Sequence, residues 1–227
     1  GVDSITGMRD AEMKGAVIFD LDGTLLNTLA DIAAAMNRAL VQAGLPAHPE
    51  EAYKLFTGHG AKNLTLRALG KRTDLFDQVY AFYSQDYARN SRVHTAPYPG
   101  IPDMLKTLSN AGMKLCVLSN KGDSDVRQVI AHYFRDIPFA HVQGVREGGP
   151  VKPDPRGPLE VAEAVGLPVE AFWYVGDTVT DMRCAKNAGM ESIAVTWGFQ
   201  TREMLSEAAP DHWADSSQAL TFLLAGA

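Results

Sequence analysis

The chain has little of what marks a secreted, membrane-bound or nucleic-acid-binding protein. Its 227 residues include two cysteines, Cys116 and Cys184, too few for a disulfide framework or a thiolate metal cluster. Cys116 lies in an apolar run and Cys184 in a helical pattern, so both are expected as buried free thiols in a reducing, cytoplasmic setting. Long hydrophobic runs are missing too. Ala16–Phe19 and Leu115–Leu118 have the length of strands, not of membrane spans. Gly1 to Glu12 is polar and carries no apolar core of a leader, so no signal peptide is expected. The chain does not begin with Met, and residues 1–12 are read as a tail left by processing or expression, outside the fold. Positive charge is in the minority, with 21 Lys and Arg against 27 Asp and Glu and a formal net charge of -6. Such a chain has no basic field for nucleic acid or an anionic membrane surface, and an anionic substrate would need cations placed locally. Internal repeats and low-complexity tracts are also absent.

What is present is an alternation of short apolar runs and helical stretches. Gly15-Ala-Val-Ile-Phe-Asp20 reads as a buried parallel strand that ends in acidic residues. Similar runs recur at Lys114–Leu118, Pro138–Val142, Phe172–Val175 and Ser192–Val195. Helical patterns lie between them at Ile101–Asn110, Asp125–His132, Pro158–Val165 and Asp181–Ala188. This order predicts an α/β fold, a Rossmann-like doubly wound parallel sheet. From about Leu29 to Arg92 the pattern is helical throughout, with Gly44 and Pro46, Gly58-His59-Gly60 and Gly70 as breaks. An interval of that length is no loop, and it predicts an inserted helical cap over residues 28–92. The sheet domain is then expected over 13–27 and 93–227, with Pro97-Tyr98-Pro99-Gly100 as a stiff return turn.

Four segments put polar residues directly after a predicted strand, where open α/β sheets bind ligands. In Asp20-Leu-Asp22-Gly23-Thr24, two carboxylates two apart on an ideal strand share a face, and Gly23 allows close backbone approach. Ser119-Asn120 offers a hydroxyl and an amide to phosphoryl oxygens. Lys152-Pro153-Asp154-Pro155 holds a lysine in a proline-stiffened turn. Gly176-Asp177-Thr178-Val-Thr-Asp181 supplies a second pair of acids. Oxygen-only ligands suit a hard cation such as Mg2+. So many carboxylates facing a phosphate dianion need that cation and a lysine to offset repulsion.

Taken in this order, Asp20-Leu-Asp-Gly-Thr24, Ser119, Lys152 and Gly176-Asp-Thr-Val-Thr-Asp181 resemble the four motifs of the haloacid dehalogenase superfamily. The helical interval resembles that superfamily's small helical cap. Asp20 to Thr28 and Val151-Lys-Pro-Asp-Pro155 look most like its phosphoglycolate-phosphatase-like branch. The resemblance implies a hydrolase acting on a small phosphorylated metabolite, best guess 2-phosphoglycolate, in a monomer or homodimer. It implies Asp20 as a nucleophile that is transiently phosphorylated and Asp22 as acid and base, with its backbone carbonyl on Mg2+. It further implies Ser119 and Lys152 on the transferring group, and Asp177 and Asp181 as metal ligands. Gly23, Thr24, Asn120, His59 and Lys62 are expected at phosphate or substrate, with Arg67 as a further specificity candidate.

Plainer roles stand beside these. Ser119 is also a good helix cap, Lys152 alone would read as solvated, and Asp181 could cap the helix it opens. Gly58-His59-Gly60 is equally a turn between packed helices. His94 and His132 are expected at the surface or in packing, and Trp173, Trp197 and Phe199 in core or rim. The run Gln143–Pro150 looks long and is expected to alter the rim of the site. A phosphosugar mutase would need a cationic cluster in the cap for a second phosphate, and none is evident. A phosphonate hydrolase would need a cap lysine, for which Lys54 and Lys62 are available. A dehalogenase would need neither Asp22 nor the metal acids.

Overall fold

A computed structural model describes residues 14–226. Six parallel strands form the sheet: β1 (Ala16–Phe19), β4 (Lys114–Gly122), β5 (His141–Val145), β6 (Phe172–Gly176), β7 (Glu191–Val195) and β8 (His212–Ala214). Their spatial order is β5-β4-β1-β6-β7-β8, so the chain runs outward from β1 in both directions. Alternation of side chains along each strand builds two separate cores. Val17, Phe19, Val117 and Val175 pack on one face against α5 (Ile101–Asn110), α6 (Asp123–Tyr133) and α10 (Ser217–Ala225). Ala16, Ile18, Leu118 and Tyr174 pack on the other against α7 (Arg156–Val165) and α8 (Val179–Ala188). Both cysteines are free and buried, and they lie in this second core. Among the described residues no helix is long and apolar enough to cross a membrane.

The helical interval enters through β2 (Leu26–Asn27) and leaves through β3 (Ala96–Pro97), a short antiparallel pair with Asn27 opposite Ala96. The two crossings therefore run side by side. Between them lie α1 (Leu29–Gln42), α2 (Tyr53–Phe56), α3 (Ala61–Leu69) and α4 (Phe76–Asn90). They share a core of their own, which includes Ile32, Met36, Leu64, Val79, Tyr83 and Tyr87, and Phe199 joins it from the loop after β7.

One buried acid ties the two crossings together. The Asp31 carboxylate on α1 accepts from the backbone N–H groups of Val93, His94 and Thr95 at 2.8–3.1 Å, and from the Thr95 hydroxyl at 2.7 Å. Asp31→Ala would strand several donors at once, and an unmet buried donor costs about 1–3 kcal/mol. A loss of roughly 3 kcal/mol or more in urea-unfolding free energy is expected. A loss under about 1 kcal/mol would show that this joint does not hold the return crossing.

Some expectations shift. The strand expected at Pro138–Val142 forms at His141–Val145. Pro138 lacks an N–H for the ladder, and Ile137 and Phe139 lean on the first core from outside the sheet. The helices expected from Asp125, Pro158 and Asp181 each begin two residues earlier, at Asp123, Arg156 and Val179. No helix or strand is expected from the sequence after Val195, although β8, α9 (Arg202–Ser206) and α10 lie there. A three-residue strand and a five-residue helix are too short to show a period.

Candidate active site

The polar residues collect at the carboxyl ends of the three central strands. Asp20 follows β1, Ser119 lies within the last turns of β4, and Asp177 follows β6. β1 stops at Phe19, so Asp20 and Asp22 do not share a strand face as expected. They sit on a turn, and their side chains go to different partners.

Asp20, Asp177 and Asp181 form one group: a carboxylate oxygen of each lies within 4.8 Å of the others, and all three are buried. Lys152 is 5% exposed and stands inside this group. Its ammonium donates to Asp20 Oδ1 at 3.0 Å, to Asp181 Oδ1 at 2.8 Å and to the Leu118 carbonyl at 3.2 Å. Burial alone would push this ammonium down, but the Asp181 and Asp20 carboxylates outweigh it and hold it above its ordinary range. The acids move the other way. Burial, then the Asp181 charge, hold the Asp20 carboxyl well above its usual range against the opposing pull of Lys152. The same two causes push Asp177 up to about 7. Three acids against one ammonium leave an excess of two negative charges. With an all-oxygen donor set so closely spaced, a hard divalent cation fits Asp20, Asp177 and Asp181.

The backbone around the group is shaped for it. Asp177 accepts from the Thr24 hydroxyl at 3.1 Å and from the Phe199 N–H at 2.9 Å, one bond on each oxygen. Thr178 is the cap of α8 and accepts from the Asp181 N–H at 3.1 Å, while its hydroxyl donates to Asp181 Oδ2 at 2.9 Å. Capping therefore falls to Thr178, and Asp181 is turned inward to Lys152. A Cβ on Gly23, which has φ +83°, would lie 2.1 Å from Asp177 Oδ2. Gly198 is as tight, since its Cβ would meet the Gly23 carbonyl at 2.3 Å and Asp177 Cβ at 2.4 Å.

The other expected substrate residues fall into place differently. Gly23 and Thr24 support Asp177 from behind, and neither lines the pocket. The Asn120 amide is engaged elsewhere, donating to the Gly58 carbonyl at 2.9 Å and the Lys152 carbonyl at 3.2 Å while its oxygen accepts from Lys152 N at 2.8 Å. It lines the pocket and at the same time clamps the helical interval to the lysine turn. Ser119 lines the pocket, and its hydroxyl accepts from the Lys121 N–H at 3.1 Å. Gly58, Gly60 and Ala61 line it as well. His59, Lys62 and Arg67 do not: all three are exposed, and Arg67 donates to the Leu55 carbonyl. The glycine turn thus meets the site through its backbone, not through His59. No residue of 143–150 reaches the pocket, so that run does not shape the rim. His94 and His132 are exposed, Trp173 is buried in the first core, and Phe199 is on the rim.

Two features were missed. Lys121, two residues after Ser119, lines the pocket and pairs with Asp22 Oδ1 at 2.8 Å. A lysine close behind a buried apolar run, in a chain short of cations, was the available signal. The Trp197-Gly198-Phe199 loop was the other: Trp197 Nε1 donates to the Thr24 carbonyl at 3.0 Å, and Phe199 holds Asp177.

Residues 17–195 match the family described as haloacid dehalogenase-like hydrolase. A phosphoglycolate phosphatase of Agrobacterium fabrum is 33% identical over 226 residues, covering 94% of this chain and 94% of its own. One from Haemophilus influenzae is 31% identical, with 90% of this chain and 96% of its own covered. A crystal structure from Lactobacillus delbrueckii, proposed to be a phosphoglycolate phosphatase, superposes with a TM-score of 0.89 at 30% identity, over 93% of this chain and 99% of that one. On sequence, fold and the arrangement of its strand-end acids, the chain belongs to the haloacid dehalogenase-like hydrolase family, beside its phosphoglycolate phosphatase-like members.

Proposed function

We propose that this site hydrolyses a small phosphate monoester with Mg2+, through transfer of the phosphoryl group to Asp20, and that 2-phosphoglycolate is its substrate. The observation that carries the reading is the Lys152 ammonium shared by Asp20 and Asp181 inside a buried acid trio. Asp20 Oδ1 accepts from both Lys152 and the Leu21 N–H, which orients Oδ2 for attack. That oxygen bonds to phosphorus as the ester oxygen leaves and takes a proton from Asp22. Water then displaces Asp20, giving its proton to Asp22. Ser119 and Lys152 meet the phosphoryl oxygens, where fixed charge stabilises the transition state. Asp20, Asp177, Asp181 and the Asp22 carbonyl would hold Mg2+, which when bound supplies neutralising charge to the phosphoryl group.

The lining favours a small substrate. The strand-end acids and two ammonium groups sit beneath an apolar rim of Ile32, Leu64, Tyr83 and Phe199, and the space left for the centres of water-sized groups is about 60 Å³. Among the described residues, no cation of the helical interval lines it, which disfavours a mutase holding a second phosphate. Lys54 is paired with Glu51 at 3.1 Å and Lys62 is exposed, so neither is placed for phosphonate chemistry.

Phosphate release from a panel of small phosphorylated metabolites is the direct test. Turnover of 2-phosphoglycolate is expected with Mg2+, with loss in EDTA and return on adding Mg2+. No release from any monoester with Mg2+ present would refute the reading.

Metal binding is also expected to show in stability, with a definite sign. Asp20 and Asp177 have folded values above their ordinary 3.8. For an acid this means that the folded state holds extra protons, so the metal-free fold loses stability as pH rises from about 4 through about 7. A cation binds the deprotonated acids, so its benefit grows over the same range. Saturating Mg2+ is expected to raise Tm by roughly 5–10 °C at pH 8, and by little at pH 5. An increment that is equal at both values would contradict the proposed ligands.

A further inference from the structure

Lys121 is the cation at the pocket wall for which the scheme above has no role. Its side chain is 7% exposed and pairs with Asp22 Oδ1 at 2.8 Å. It also donates to the Tyr87 hydroxyl and lies 4.6 Å from the centre of that ring. Among the described residues, no other side chain or N–H bonds to the Asp22 carboxylate. The two ammonium groups lining the pocket are thus divided: Lys152 serves Asp20 and Asp181, and Lys121 serves Asp22. Tyr87 comes from α4 of the helical interval and Lys121 from β4 of the sheet, so this contact spans the two layers. The preceding residue, Asn120, spans them as well through the Gly58 carbonyl.

We propose that Lys121, anchored on Tyr87, is a positioning residue that holds the Asp22 carboxylate in place to accept the proton of the hydrolytic water. This rests on the phosphatase reading and adds to it a dependence on the helical interval. An ammonium 2.8 Å from Oδ1 fixes where the Asp22 carboxylate points. A lysine stem has wide rotamer freedom, and the Tyr87 hydroxyl and ring limit it while α4 lies over β4. In the step concerned, the water oxygen bonds to phosphorus and the Asp20–phosphorus bond breaks. The water proton passes to Asp22, Asp20 leaves as a carboxylate, and inorganic phosphate is formed.

The test separates formation of the phosphorylated enzyme from its breakdown. With 4-nitrophenyl phosphate and Mg2+, the pre-steady-state burst of nitrophenolate reports formation, and the following steady rate reports breakdown. In Lys121→Met the steady rate is expected to fall about 100-fold, the scale of lost acid–base assistance, so that the ratio of burst rate to steady rate rises at least about tenfold. Tyr87→Phe, which keeps the ring, should move the ratio the same way by about threefold. Lys121→Met combined with Asp22→Asn should be no slower than Asp22→Asn alone, because the lysine acts through that carboxylate. Burst and steady rates that fall together, an unchanged ratio, or a further loss in the double variant would overturn the inference. Failure of the underlying reading looks different: the wild type would then release no nitrophenolate, or Asp20→Asn would keep the burst.

Discussion

Asp20→Asn is expected to lower kcat on any accepted phosphate monoester by about 10⁴-fold or more, the scale seen when a covalent nucleophile is removed. The amide keeps the shape and the Leu21 N–H contact but cannot form the bond to phosphorus. Folding should not suffer. Asp20 sits among buried carboxylates, and burial with the Asp181 charge holds it well above its usual range. In the metal-free protein at pH 8 its charge is therefore a net cost. Neutralising it leaves Lys152 paired with Asp181, and an unfolding free energy no lower than that of the wild type is expected. Lost activity together with lost stability would instead mark Asp20 as a structural residue.

Lys152→Met should be damaging in both respects. The ammonium contacts Asp20, Asp181 and the Leu118 carbonyl in a nearly closed space, with 4% of its side chain exposed. Removing one partner of a buried ion pair costs about 3–5 kcal/mol, because the remaining charge is left without compensation. The loss should shrink at pH 5, where the orphaned acids bind protons, and grow toward pH 8; urea unfolding at the two values measures it. A fall in kcat of about 10³-fold or more is expected from the missing charge on the phosphoryl group. Lys152→Arg should not restore activity, since a planar fork does not fit a space shaped for a compact ammonium. Near-normal turnover in either variant would remove Lys152 from the proposed chemistry.

Much of the sheet was legible because buried parallel strands leave continuous apolar runs, as at Ala16–Phe19 and Phe172–Gly176. The helical interval was legible for a similar reason, since a 3.6-residue period persists through α1, α3 and α4. Asp20 and Asp177 stood out because each directly follows a strand, and chain topology brings strand ends together. What could not be read was direction. Thr24 and Asn120 lie in the right segments, but their polar atoms are taken by Asp177, Gly58 and Lys152. His59 lies in the right loop, but the backbone of that loop, not the imidazole, reaches the pocket. Lys121 was hidden because its importance depends on Tyr87, 34 residues distant in the chain. Such pairings arise when the helical interval packs on the sheet, and no local pattern encodes them.

The claim on which the account depends is that phosphate passes through Asp20 instead of going directly to water. A phosphorothioate monoester carrying sulfur and one heavy oxygen isotope on phosphorus, hydrolysed in water enriched in the other heavy isotope, tests it in one measurement. Two successive in-line displacements must return inorganic thiophosphate with retained configuration, and retention is the predicted result. Inversion would mean a single displacement by water, and Asp20 would not be the nucleophile.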